Sequence, residues 1–271
     1  MLKTRVLTAL ALAGGLLLAV FLLSLEAWIW VCGAICALAS WEWGALTRQR
    51  AASRALISAT LPLLFLLIAY LVGPEAADWE TSWLPLPAYA LSALFWLLLV
   101  PLWLRRKWQS QALPFALGTG LVVLVPTALA LVHLRALSPW LMLGVMAVVW
   151  VADIAAYFAG RRFGRHKLAP TISPGKTWEG AAGAGLAVCV FGLAIHTALT
   201  LSGSWWLVAV ALLIWTALSI FGDLLESLLK RQAGLKDSSG LLPGHGGILD
   251  RIDSLTSTLP VVCLVIVVLL R

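Results

Sequence analysis

The sequence predicts an all-α, polytopic integral membrane protein with about nine transmembrane helices and a cytoplasmic N-terminus. Three observations carry this reading. Of the 271 residues, 62% are hydrophobic and only 11% are charged, with a mean hydropathy of +0.98. Apolar runs of about 20 residues, the length that crosses a hydrocarbon core as a helix, recur from end to end. The charges between those runs alternate in kind from one loop to the next.

The runs fall at roughly 5–24, 27–46, 55–73, 82–104, 112–134, 138–160, 179–200, 204–226 and 255–270. The first is kept as a membrane anchor, because no small-residue cleavage site convincingly precedes the second. Glu42 interrupts the second. Prolines 62, 85, 87, 101, 114 and 126 kink or end helices in the first half. The last run is the shortest. Residues 1–135 thus hold about five spans with little polar content beyond their topology-setting bases. Residues 136–271 form a C-terminal region whose loops carry the chemistry.

All the Lys and Arg except Arg135 and Arg271 fall in alternate loops or ends: Lys3 and Arg5, Arg48 to Arg54, Arg105 to Lys107, Arg161 to Lys176, and a cluster after Lys230. The intervening loops hold Glu26, then Glu75, Asp78 and Glu80, then Arg135, then the uncharged Ser202-Gly203-Ser204. This asymmetry follows the positive-inside rule and puts the large basic loops in the cytoplasm. The net charge of +7 is therefore a topology signal that also attracts anionic lipid headgroups, and no nucleic-acid partner is expected. Cys32, Cys36, Cys189 and Cys263 lie inside apolar runs and read as buried free thiols. Tryptophans near the run ends match an aromatic belt.

Three polar clusters stand in the second half. The first is Asp153 near the inner end of the sixth run, followed by Arg161 and Arg162. A membrane-embedded aspartate costs about 2.5–3.5 kcal/mol on insertion scales, so it needs a partner: either a basic neighbour or a divalent cation. The second is Ser173-Pro174-Gly175-Lys176-Thr177-Trp178-Glu179. Here Pro174 and Gly175 predict a turn, Thr177 a helix cap and Glu179 a first-turn acid. The free N–H groups of that helix start, with Lys176, also suit a phosphate, although the spacing is not that of a P-loop.

The third cluster runs from Ser227 to Asp253 and is preceded by Asp223 and Glu226. Asp223 and Asp250 approach from the two sides of one loop. Paired carboxylates repel unless a cation neutralises them, so a shared metal is expected there. Glu226 either joins that site or pairs with Lys230 at i, i+4. His245 sits among Gly244, Gly246 and Gly247, where the backbone can approach a ligand closely.

Ser227, Lys230-Arg231, Lys236-Asp237, Leu242-Pro243-Gly244-His245-Gly246-Gly247 and Asp250-Arg251-Ile252-Asp253 resemble, without departure at the fixed positions, the signature of the phosphatidate cytidylyltransferases. The run from Asp153 to Gly180 also looks like the bacterial members of that family. The resemblance implies that CTP and phosphatidate give CDP-diacylglycerol and pyrophosphate, with Mg²⁺ as cofactor. It implies a multi-pass protein of the bacterial inner (cytoplasmic) membrane, surrounded by lipid, with its active site facing the cytoplasm and a homodimer as its assembly. Lys230, Arg231, Lys236, Asp237, His245, Arg251 and Asp253 are then the catalytic candidates. Ser173, Lys176, Thr177, Glu179, Gly246 and Gly247 are the candidates for binding CTP or lipid phosphate. Asp223 and Asp250, with Asp153 beside them, are the metal candidates. A CTP-dependent lipid kinase and an ion-coupled transporter are the competing readings. The long signature match disfavours the kinase, and charges crowded at one face disfavour the transporter.

Overall fold

The computed structural model describes residues 2–200 and 203–269, with side chains from Leu7 onward. Ser202, Leu270, Arg271 and the side chains of Lys3 and Arg5 lie outside the described residues. Eight described helices, of 21 to 29 residues, are long and apolar enough to cross a bilayer, and Leu7–Leu22 is a shorter apolar helix. The chain is a multi-pass membrane protein. In order come α1 (Leu2–Leu22), α2 (Leu25–Leu46), α3 (Ala51–Val72) and the short α4 (Ala76–Thr81). Next, α5 (Leu86–Leu94), a π-helical turn (Phe95–Leu99) and α6 (Val100–Arg106) together make one span. Then follow α7 (Leu113–Leu137), α8 (Pro139–Phe163), strands β1 (Lys167–Ala169) and β2 (Ser173–Thr177), α9 (Trp178–Ala198), α10 (Trp205–Ala233) and α11 (Leu249–Leu269).

Local chemistry sets the boundaries. Ser24, Ser138 and Thr177 are N-caps whose hydroxyls accept from Ala27 N–H, Leu141 N–H and Gly180 N–H. The π turn stands just before Pro101, whose ring has no N–H to give and crowds the carbonyl four residues back, so the helix widens there. Arg135, an outlier in the charge pattern, reaches from α7 to the carbonyls of Val20 and Leu23 and so closes the C-terminus of α1.

The main core is built by α2, α3, α5, α7 and α11, with Trp28, Phe65, Tyr89, Trp96, Leu129 and Leu259 among its buried side chains. Packing crosses the boundary near residue 135, since α11 lies against both α7 and α5. A second, smaller cluster joins α8, α9 and α10 through Val148, Ala152, Ala184, Val188 and Leu212. Along this seam α8 and α9 approach closely, because Gly160, Gly180 and Gly183 present no side chain to the facing backbone or to Ala159.

Two elements differ from the sequence expectation. Ser173–Thr177 is not a turn at Pro174-Gly175 but a strand paired antiparallel with β1, Ala169 opposite Ser173 and Lys167 opposite Thr177. The reversal falls earlier, at Pro170-Thr171, where Ile172 N–H donates to Ala169 C=O. Pro174 is tolerated in so short, edge-exposed a ladder. The second difference is that α10 runs on to Ala233 and α11 begins at Leu249. Lys230 and Arg231 stand in the last turn of α10, and Asp250 and Asp253 sit on the opening turns of the last helix rather than in a loop.

Candidate active site

A cavity of about 530 Å³ opens where α8, α9, α10 and the β-hairpin meet the start of α11. Its size lies within the range of about 300–1,000 Å³ typical of ligand sites. Asp153 from α8, Ser173, Lys176 and Thr177 from the hairpin, Asp223 from α10, and Asp250 and Asp253 from α11 all line it. Those seven positions, spread over a hundred residues of sequence, are the ones the structure brings together.

Lys176 Nζ lies 2.6 Å from Asp223 Oδ2, and the two side chains are 24% and 31% exposed, so the pair remains open to a ligand. Asp223 also accepts from Ser227 Oγ at 3.1 Å. Asp153 is contacted by Ser219 Oγ at 3.5 Å. Asp153, Asp223 and Asp253 interact electrostatically with one another, with Lys176 the cation among them. This is a wall of hard oxygen donors with one ammonium.

Asp250 is held on both sides. Its Oδ1 faces Lys230 Nζ at 2.7 Å. Its Oδ2 accepts from Ser238 N–H and Gly247 N–H and shares the single Ser238 hydroxyl proton with Glu42, each donor atom lying 2.8 Å away. Lys230 also lies 3.3 Å from Glu226, the i, i+4 partner, so of the two readings of Glu226 the pairing is realised. The loop between α10 and α11 is thereby tied to the cavity wall through one carboxylate.

The loop itself is shaped by glycine. Gly234 ends α10 in the left-handed conformation at φ 72°, and its N–H and that of Leu235 close back on Arg231 and Lys230 carbonyls. Gly244 (φ 77°) and Gly246 (φ 81°) allow the Leu242–Gly246 bridge to fold tightly. Gly247 is needed for space, since a methyl group there would overlap Ser238 Oγ and both Glu42 carboxylate oxygens. Gly247→Ala is expected to cost about 1–3 kcal/mol as overpacking. The readout is a lowered melting midpoint of the detergent-solubilised protein, with turnover lost alongside; an unchanged midpoint would contradict the crowding.

The remaining candidates lie off the cavity. Arg231, Lys236, Asp237 and Arg251 are exposed around the loop and line no part of it. His245 and Gly246 are half-buried and Gly247 buried within the loop, behind the wall. His245 N–H donates to Leu242 C=O. Glu179 points back to the α8–β1 link, accepting from the N–H groups of Arg165 and His166 and meeting His166 Nδ1 at 2.6 Å. Its contacts fasten the base of the hairpin. Thr177 both caps α9 and lines the cavity.

Sequence reasoning gave Glu42 no role beyond interrupting a span, yet the structure gives it a prominent place. Only 2% exposed, it accepts from Ser239 Oγ (2.6 Å) and Ile248 N–H (3.0 Å) on Oε1, and from Leu249 N–H (2.8 Å) and Ser238 Oγ (3.0 Å) on Oε2. The available signal was its cost: a lone carboxylate in an apolar span must be compensated. Nothing local in the sequence could name a partner about 200 residues away.

With this geometry in hand, the chain matches the cytidylyltransferase family over residues 3–269. The chain belongs to that family. The phosphatidate cytidylyltransferase of Pseudomonas aeruginosa is 41% identical to it, across 96% of this chain and 95% of that protein. The Haemophilus influenzae protein of the same name is 36% identical across 96% of each, and that of Brucella suis biovar 1 is 44% identical across 59% of this chain and 58% of its own. None of the four free cysteines of this cytidylyltransferase lines the cavity, so no thiol stands ready there as a nucleophile.

Proposed function

We propose that this chain is an enzyme that transfers CMP from CTP to phosphatidate, giving CDP-diacylglycerol and pyrophosphate. One observation carries the reading: a single cavity is lined both by ionic side chains, Lys176 and Asp223 among them, and by small apolar side chains of spanning helices, including Ala152, Ala156, Ala181 and Ala184. An amphiphile with a phosphate head and acyl tails suits such a mixed lining. The relatives that carry this activity in their names agree with it over nearly the whole chain.

In this reaction an oxygen of the phosphatidate monoester attacks the α-phosphorus of CTP. A P–O bond forms, the bond to the β-phosphate oxygen breaks, and pyrophosphate leaves with the electron pair. The attacking phosphate is already an anionic nucleophile, so the protein's task is positioning and charge neutralisation. Lys176 lies at the cavity surface to meet a phosphate, and Lys230 supports the wall through Asp250. Arg231, Lys236 and Arg251, exposed around the α10–α11 loop, add positive charge that draws an anionic nucleotide towards this face.

Mg²⁺ belongs to the same proposal, with Asp223 and Asp250 as its ligands and Asp153 and Asp253 beside them. The donor set fits, being oxygen throughout. Bound there, Mg²⁺ would offset charge on the triphosphate and the departing pyrophosphate.

The cytoplasmic placing of the site, in a bacterial inner membrane, rests on charge. Gln232 Nε2 at the end of α10 donates to the carbonyls of Lys107 and Trp108, so the basic loop after α6 lies at the site end of the bundle. A homodimer within the lipid is the assembly we attach to this reading.

Purified protein in detergent, given labelled CTP, phosphatidate and Mg²⁺, is expected to release one pyrophosphate per CDP-diacylglycerol formed. Release of CDP with a phosphorylated lipid would identify a kinase instead and sink the proposal.

A further inference from the structure

We infer that Glu42 is a positioning residue for nucleotidyl transfer, acting from α2 through the α10–α11 loop on Asp250 and Lys230. The four donors that converge on it come from two places: Ser238 and Ser239 before the glycine-rich turn, and the Ile248 and Leu249 N–H groups that open α11. Glu42 thus clips the two ends of the turn to one point on another helix. Ser238 is the link onward. Its hydroxyl lies 3.0 Å from Glu42 Oε2 and 2.8 Å from Asp250 Oδ2, while its N–H also donates to Asp250. Asp250 in turn meets Lys230 at 2.7 Å.

A helix cap alone would need only the α11 N–H groups. The two serine contacts do nothing for the helix: that of Ser238 continues to Asp250, and that of Ser239 fixes the neighbouring backbone of the loop to Glu42. The crowding of Gly247 against both Glu42 oxygens and Ser238 Oγ leaves the clip little slack. A carboxylate is suited to this because it accepts on both oxygens at once, whereas an amide would turn an NH₂ group towards at least one of the four donors.

The inference rests on the proposed place of Asp250 in the site, with Lys230 behind it, so Asp250→Asn runs as a control. In Glu42→Gln, amide hydrogen exchange should quicken at Gly247, Ile248 and Leu249 while α3 and α7 stay protected. The kcat per folded enzyme should fall about 10- to 100-fold, the scale of a misplacement of about 1 Å, with the KM for phosphatidate within about threefold of the parent. Ser239→Ala, which leaves Glu42 and Asp250 in place, should show the same split at smaller size. It decides the matter if Glu42→Gln fails to fold.

An inactive Asp250→Asn beside a fully active Glu42→Gln, or beside a fully active Ser239→Ala where Glu42→Gln does not fold, overturns the positioning role alone. A fully active Asp250→Asn overturns the site reading and this inference with it.

Discussion

Asp250→Asn is expected to lower turnover by about 10²–10³-fold, the usual loss when one preorganised charged group is removed from a transition state. The geometry explains why so small a change is costly. An amide can keep one oxygen for Ser238 and Gly247, but its NH₂ then faces the Lys230 ammonium, which sits 2.7 Å from the present carboxylate. The charge is lost while the loop contacts survive, so the protein should still fold, with a lowered thermal midpoint because Lys230 loses its nearer acceptor and keeps only Glu226. Assay of pyrophosphate release from purified enzyme measures the effect. Turnover within threefold of the parent would remove Asp250 from the site.

Asp223→Asn is expected to have an effect of similar size, with a different signature. Asp223 is the partner of Lys176 and interacts with Asp153 and Asp253, so neutralising it changes the charge of the whole cavity wall. Turnover should fall by about 10²-fold or more. If Asp223 is a metal ligand, the Mg²⁺ concentration giving half-maximal rate should rise as well, because one of two protein oxygens of full charge is gone. A reduced rate with an unchanged Mg²⁺ dependence would assign Asp223 to holding Lys176 and not to the metal.

Much of the architecture was legible because membrane insertion leaves so few choices. An apolar run of about 20 residues in hydrocarbon can only be a helix, since every backbone group must be satisfied within the segment. Eight of the nine anticipated spans therefore match described helices long enough to cross, the first matches the shorter apolar helix Leu7–Leu22, and α4 is a short addition. The exceptions are local. The Ser173–Thr177 strand was read as a turn because Pro-Gly is a strong turn signal, and the pairing with Lys167–Ala169 that outweighs it is a contact the dipeptide does not encode. The apolar run of α10 stops near residue 226 because polarity begins at Asp223, while the helix continues through its ionic turns to Ala233 and is capped by Gly234.

For the site, residue type and spacing singled out Asp153, Lys176, Asp223, Asp250 and Asp253, all of which reach one cavity. Spacing could not separate these from Arg231, Lys236, Asp237, His245 and Arg251. In the same short stretch, the direction of each side chain depends on the path of the loop and the phase of α11.

By itself, then, the sequence determined the helical class, the alternation of loop charge, the family, and the set of ionisable residues from which a site could be made. The family follows from the resemblance of the Ser227–Asp253 motif, and the rest from hydrophobicity and the order of charges. Only the tertiary structure decided how that set divides. It turned Asp250 towards Lys230, turned Glu179 away to fasten the hairpin, and brought Glu42 from an apolar span to the start of α11. The physical reason is that a buried carboxylate must find its donors wherever the packing of helices puts them, and that packing is not written in any one stretch of chain.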